Sequence, residues 1–122
     1  MPVELSRARA SARENDEPMH EMEALPHPAR AEIDITEVLK ALAEPVRLEI
    51  VRYLSLNGPC ACGSIDVGLT KQNLTHHLRT LREAGILKTE PDGRLRVSSL
   101  RREDLDARFP GLLDGILAGL KG

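Results

Sequence analysis

The sequence predicts a mainly α-helical domain with one small β-hairpin, in the order helix, helix, short helix, helix, hairpin, helix. Three observations predict it. Hydrophobic residues make up 41% of the 122, yet Tyr53 and Phe109 are the only aromatics. A core of Leu, Ile, Val and Ala favours packed helices over a β-sandwich, whose strands draw on aromatic and β-branched side chains. The apolar period is helical from Ile33 to about Ala84 and changes to a strand pattern after Gly85. Glycine and proline stand at the points where one pattern stops and the next begins.

Taken in order, residues 1–31 are rich in Arg, Glu, Ala and Pro and poor in large apolar groups. Such a stretch buries too little surface to offset its ordering entropy, so a mostly disordered tail is expected there, with a folded domain over 32–122. Leu25-Pro-His-Pro28 is expected to be extended, because a residue before proline is pushed out of the helical region. The first helix carries Ile35, Val38, Leu39 and Leu42 at helical spacing, with Asp34 or Thr36 as its N-cap. Pro45 ends it and suits the first turn of the second helix, whose stripe is Val46, Leu48, Ile50, Val51 and Leu54. Asn57-Gly58-Pro59 stops that helix.

A short, poorer helix is expected over about Cys62 to Val67, weakened by Gly63 and closed by Gly68 in the left-handed region. Thr70 then caps the strongest helix, which runs to Ala84-Gly85 with Leu74, Leu78 and Leu81 on its apolar face. Ile86–Glu90 and Leu95–Ser99 flank Pro91-Asp92-Gly93-Arg94 and predict a hairpin around an Asp-Gly turn. Arg102 to Ala118 is helical in pattern with a break at Phe109-Pro110.

The net charge of −2 is unevenly distributed. Residues 69–102 hold eight Lys and Arg against Glu83, Glu90 and Asp92, a local balance of +5, while the segments on either side are acidic. A basic third of an acidic chain is the electrostatic footprint of a polyanion partner. Its context sharpens the inference. A short helix, a tight turn at Val67-Gly68-Leu69 and a capped second helix make a helix-turn-helix, and the following hairpin makes it a winged one. The second helix of such a unit enters the major groove of double-stranded DNA.

Its outward residues would be Lys71, Gln72, Asn73, Thr75, His76 and Arg79. Gln and Asn pair bidentately with adenine, Thr meets a thymine methyl, and Lys and Arg reach phosphate or guanine. Arg94 and Arg96 on the hairpin would reach phosphates or the neighbouring minor groove. The competing reading is a solvated helix face, and for His77 a partly buried packing role.

Leu42-Ala-Glu-Pro-Val-Arg-Leu-Glu-Ile50, Val67-Gly-Leu-Thr-Lys-Gln-Asn-Leu-Thr-His-His-Leu78 and Leu81-Arg-Glu-Ala-Gly-Ile-Leu87 together resemble the ArsR/SmtB winged-helix repressors. The likeness extends over about residues 25–120. It implies a homodimer joined through the first and last helices, bound to a roughly palindromic operator and released, or occasionally recruited, by a metal or another signal. Gly111, Gly115 and Gly119 would give the last helix a smooth face for close approach across that dimer.

The resemblance also gives Cys60 and Cys62 a meaning. Metal-sensing members carry a Cys-x-Cys here, and two thiolates suit a soft or borderline ion such as zinc or nickel. A third cysteine often follows three residues later, where this chain has Ile65. His20 or His27 of the amino-terminal arm are the available additions, and the last helix has no histidine for the family's other site. Thiol redox sensing and a merely structural role are the alternatives.

A winged helix that binds a partner protein instead of an operator is the second functional class, and the +5 segment argues against it. Enzymatic chemistry is not expected. No nucleophile–base spacing, phosphate loop or carboxylate cluster is present in the folded part, and Asp104 and Asp106 suit a first helical turn. No apolar run is long enough to span a bilayer and Met1–His20 has no signal-like core, so a cytoplasmic protein is expected.

Overall fold

The computed structural model describes residues 25–120. The expected tail therefore falls, for residues 1–24, outside the described residues. Five helices, α1 (Ile35–Leu42), α2 (Pro45–Asn57), α3 (Lys71–Glu83), α4 (Arg102–Arg108) and α5 (Leu112–Leu120), surround a sheet of three short strands. These are β1 (Cys60–Ala61), β2 (Leu87–Asp92) and β3 (Leu95–Leu100), all antiparallel in the order β1-β3-β2.

The sequence logic of the helices holds in detail. Asp34 is the N-cap of α1, its carboxylate accepting the Glu37 N–H at 3.2 Å, so Thr36 is not needed. Pro45 begins α2, and Gly58 ends it at φ +75° with its N–H on Leu54 O. Thr70 caps α3 through Asn73 N–H at 3.2 Å. The predicted leucines of α3 are all buried, and they meet Val38, Leu42, Ile50, Val51, Leu54 and Ile86 in one aliphatic core.

Three local readings change. The short helix expected from Cys62 to Val67 is a single 3-10 turn over Cys62–Ser64, followed by irregular chain to Thr70. Its neighbour explains this: Cys60-Ala61 is drawn into the sheet as β1, opposite Ser98 and Val97 of β3, and Gly63 gives little help to a helix. The hairpin loop is Gly93-Arg94, because Asp92 already pairs with Leu95. Gly93 leads that two-residue loop at φ +65°. Gly111 is not on a helix face; it turns the chain at φ +83° between α4 and α5. Only Gly115 and Gly119 lie on α5, and an added Cβ at either would meet open space.

The junction between α3 and β2 is the tightest point. Gly85 (φ +89°) donates to Arg82 O at 3.0 Å and Ile86 to Leu81 O at 3.0 Å, the paired bonds of a Schellman C-cap. The buried Ile33 side chain lies over the glycine, with Cγ1 2.6 Å from where a Cβ would stand. The segment before Ile33 is tied down as well. Thr89 N–H of β2 donates to His27 Nε2 at 3.0 Å, Arg101 donates to Pro28 O at 2.7 Å, and Asp104 accepts from both Arg30 and Arg101. Those two guanidiniums hold the Asp104 carboxyl below its usual range.

One face remains uncovered. Ile35 (38% exposed) and Leu39 (48%) of α1 point away from the core. Val38 and Leu42 of the same helix share a small apolar gap with Leu112 and Ile116 of α5.

Two expectations follow for stability. Gly85→Ala combines a left-handed penalty with overlap on Ile33, and should lower unfolding free energy by about 2–4 kcal/mol. Gly93→Ala meets nothing and should cost only about 1–2 kcal/mol; urea titrations giving equal losses would remove the Ile33 contact from the account. The second concerns pH. His27 accepts from Thr89 at Nε2, so its proton sits on Nδ1 and faces Leu25 O at 2.7 Å. Its pKa is lowered, first by burial and then by Arg82 and Arg101, against the Leu25 carbonyl and Glu90. The neutral form is the docked one. Docking is therefore complete above the ordinary value of 6.5 and is lost as pH falls through the lower folded value. The Thr89 amide resonance should titrate with a midpoint below 6.5, and in His27→Gln it should not titrate; a wild-type midpoint at or above 6.5 would contradict the assignment.

Candidate nucleic-acid interface

Burial of Leu74, Leu78 and Leu81 fixes how α3 presents its other faces. At about 100° per residue, Gln72 and His76 stand opposite that stripe, with Arg79 and Thr75 turning toward the hairpin and Lys71 nearer still. Lys71, Gln72, Asn73, Thr75, His76 and Arg79 are all exposed. Asn73 falls on the opposite side from the hairpin, with Thr80 and His77. The sequence-selected residues therefore share one helix but not one face.

Facing α3 across an open cleft of about 400 Å³ is the hairpin, with Arg94 and Arg96 on its side of the gap. Lys71, Thr75 and Arg82 line the other side. Among the described residues no carboxylate lines this cleft. Arg82 is the residue that sequence reasoning missed. It stands at i+11 from Lys71 and i+7 from Thr75, so the helical period itself places it on the cleft side. Its Nε is buried without a hydrogen-bond partner, and burial lowers its pKa, with Arg79 and Arg96 acting in the same direction.

The two histidines separate in role. His76 is exposed. His77 turns inward, with Nδ1 3.1 Å from the Arg47 guanidinium of α2, and its pKa is lowered by burial first and then by Arg47 and His76. Arg79, by contrast, is held by Glu83 at 3.0 Å on the helix surface.

Cys60 and Cys62 are free, half-buried thiols with different partners. Cys60 Sγ donates to Gly58 O at 3.2 Å. Cys62 Sγ lies 3.0 Å from Ser98 Oγ, which in turn lies 3.2 Å from Thr89 Oγ1, and Cys62 also lines the basic cleft. Both ring nitrogens of His27 are engaged. Among the described residues no three His, Cys, Asp or Glu side chains come together to hold a metal ion, so the two thiols lack the further donors that a four-coordinate zinc site needs. His20 lies outside the described residues. No helix among them is long and apolar enough to cross a membrane.

Comparison with known proteins agrees with this geometry. A family model described as a helix-turn-helix domain matches residues 42–90. The uncharacterized HTH-type transcriptional regulator YceK of Bacillus subtilis (strain 168) is 35% identical over 81 residues, spanning 64% of this chain and 81% of that protein. The arsenical resistance operon repressor of Staphylococcus xylosus is 31% identical over 74 residues, spanning 60% of this chain and 71% of its own. Among solved structures, the transcriptional repressor BigR from Xylella fastidiosa superposes with a TM-score of 0.55 at 27% identity, covering 69% of this chain and 83% of that one.

Proposed function

The chain belongs to the ArsR-type winged helix-turn-helix transcriptional regulators, and from that premise we propose that it represses transcription by binding a palindromic operator as a homodimer. It is a DNA-binding regulator and not an enzyme. The finer reading rests above all on one observation: a polar face of α3 stands beside a basic cleft walled by the hairpin, with Lys71, Arg82, Arg94 and Arg96 among its lining residues. Gln72, Thr75 and His76 would meet base edges in the major groove. Lys71, Arg94 and Arg96 would hold the phosphate strand that passes between helix and wing, while Arg79 reaches outward and Asn73 lies at the margin. The alternative, a winged helix serving only a partner protein, is disfavoured by the charge of that cleft. Its place of action would be the cytoplasm, with the DNA.

The dimer would form through the uncovered α1–α5 face. Ile35 and Leu39 are large apolar side chains left in water by the single chain, and Gly115 and Gly119 leave α5 open to close approach. Two-fold symmetry then sets the two α3 helices about one DNA turn, roughly 34 Å, apart.

The signal would enter at Cys60 and Cys62, as a transition metal ion such as zinc or nickel or as a change of thiol redox state. A metal requires donors beyond those in the described part of one chain. Redox modification requires none.

Fluorescence anisotropy on DNA from upstream of the protein's own gene tests the operator reading, with sedimentation giving the oligomeric state. Gln72→Ala or Thr75→Ala should cost about 1–3 kcal/mol on the preferred site and flatten discrimination between operator variants. Arg94→Ala should weaken all sequences alike and reduce the salt slope by about 0.9. Undiminished discrimination removes the base contacts, and an unaltered slope removes the wing. The sensor reading is checked on the same duplex with Zn²⁺, Ni²⁺ and diamide. At least tenfold weaker binding that is abolished in Cys60→Ser and Cys62→Ser is expected, and indifference to all three agents discards it.

A further inference from the structure

Arg47 joins three helices at one point. It stands in the first turn of α2, its Nε donates to the Ala41 carbonyl of α1, and its guanidinium lies 3.1 Å from His77 Nδ1 on α3. Ala41 O is among the last four carbonyls of α1, which have no partner inside their own helix. A cation is favoured at that negative end. Arg47 is therefore anchored on α1, and α3 is fastened to the anchor through one imidazole.

That fastening works in a single protonation state. A guanidinium carries donors alone and keeps its charge, so His77 accepts at Nδ1 and holds its proton on Nε2. A second proton on the ring leaves two cations in contact with no acceptor between them. The surrounding charges do not cancel this. Among the described residues Arg47 and His76 oppose a charged ring, and only Glu44, just before α2, favours one. The His76 ring meets that of His77 edge-on, with centroids 5.1 Å apart. Glu37 and Lys40 of α1 and Glu83 of α3 line a groove with Arg47, but Lys40 pairs with Glu37, and Glu83 with Arg79.

We propose that Arg47 is a positioning residue for DNA binding, fixing α3 against α1 through neutral His77, and that protonation of His77 releases α3 and weakens operator binding. The inference rests on the reading of α3 as the helix that enters the major groove. Its sign follows from linkage. Burial first, then Arg47 and His76, hold the His77 pKa below its ordinary 6.5, against Glu44. The tie is complete above that value and is lost as pH falls through the lower folded one. Protonation of exposed His76 acts the other way, because it adds a cation to the face turned toward phosphate. Affinity that falls on acidification is thus the mark of the tie and not of the DNA contacts.

The test uses the full-length protein carrying His27→Gln, so that the arm does not titrate, and a second protein that adds His77→Gln. The glutamine oxygen accepts from Arg47 at any pH. Imidazole nitrogen resonances should show Nδ1 bare and Nε2 protonated near neutrality, with a His77 midpoint below 6.5 that rises in Arg47→Gln. One pH unit below that midpoint about nine-tenths of the rings are charged, so affinity for DNA from upstream of the protein's own gene should fall about three- to tenfold. The His77→Gln protein should lose that dependence. A proton on Nδ1, a midpoint at or above 6.5 or unmoved in Arg47→Gln, or equal losses in the two proteins overturns the proposal and leaves the operator reading standing. Binding to no duplex at any pH overturns both. If Arg47→Gln does not fold, the tautomer, the midpoint and the two affinity profiles still decide.

Discussion

The contact on which the rest of the structure depends is the one between Ile33 and Gly85. A helix that must stop and hand over to a strand within two residues needs a left-handed position, and glycine takes it without a side-chain penalty. Here the absence of a Cβ does a second job, since the space it would fill belongs to a fully buried isoleucine. The Schellman bonds at Gly85 and Ile86 set the angle at which β2 leaves α3, and so the width of the cleft between helix and wing. Ile33 in turn carries the amino-terminal arm, which runs back along β2 to Leu25 at the edge of that cleft. One small residue thus fixes the recognition helix, the wing and the arm relative to one another.

Beneath the wing, two hydroxyl groups are buried beside an otherwise aliphatic core. Ser98 and Thr89 are nearly inaccessible, and two buried hydroxyls without partners would cost about 1–3 kcal/mol each. They satisfy each other, and Ser98 also meets the Cys62 thiol. The same Thr89 offers its backbone N–H to His27. Cysteine, central strand, edge strand and arm are therefore one connected set of polar contacts. A change at the Cys62 sulfur would leave the Ser98 hydroxyl with one partner fewer in a site with little access to water. That is a physical route from the thiol to the wing and the arm, and it needs no displacement of a helix.

Long-range periodicity was the legible part of this molecule. Leu74, Leu78 and Leu81 repeat over about two turns, Pro45 and Thr70 mark where helices begin, and alternation after Gly85 marks the wing; together these signals outvote local ambiguity. β1 was illegible because it is two residues long and exists only by pairing with β3, a partner over thirty positions away. The expected short helix, next along the chain, shrank to the 3-10 turn over Cys62–Ser64. The hairpin loop slipped by one residue because Asp92-Gly93 is a common turn dipeptide, whereas the pairing of Asp92 with Leu95 leaves Gly93-Arg94 to turn. Within the candidate site, exposure of the α3 side chains was readable from the leucine stripe. Arg82 escaped notice because it sits at the far end of the helix, where spacing marks a face but not what lies across from it.

A protein with net charge −2 that engages a polyanion illustrates why totals mislead. Near physiological ionic strength, charges beyond about 8 Å are largely screened, so a phosphate in the cleft would respond to Lys71, Arg82, Arg94 and Arg96 and hardly to the acidic surplus elsewhere in the chain. The surface pair Arg79–Glu83 fits this picture. Both side chains are mostly exposed, and such a pair contributes no more than about 1 kcal/mol, so exchanging the carboxylate for a phosphate costs little. Arg47 cannot make that exchange as readily, since it is tied to Ala41 O and His77 between α1, α2 and α3. The division is one of burial. Arg47 and Arg101 are enclosed by carbonyl, imidazole and carboxylate partners, whereas Lys71, Arg79 and Arg94 are exposed, on the surfaces of α3 and the wing that would meet a polyanion.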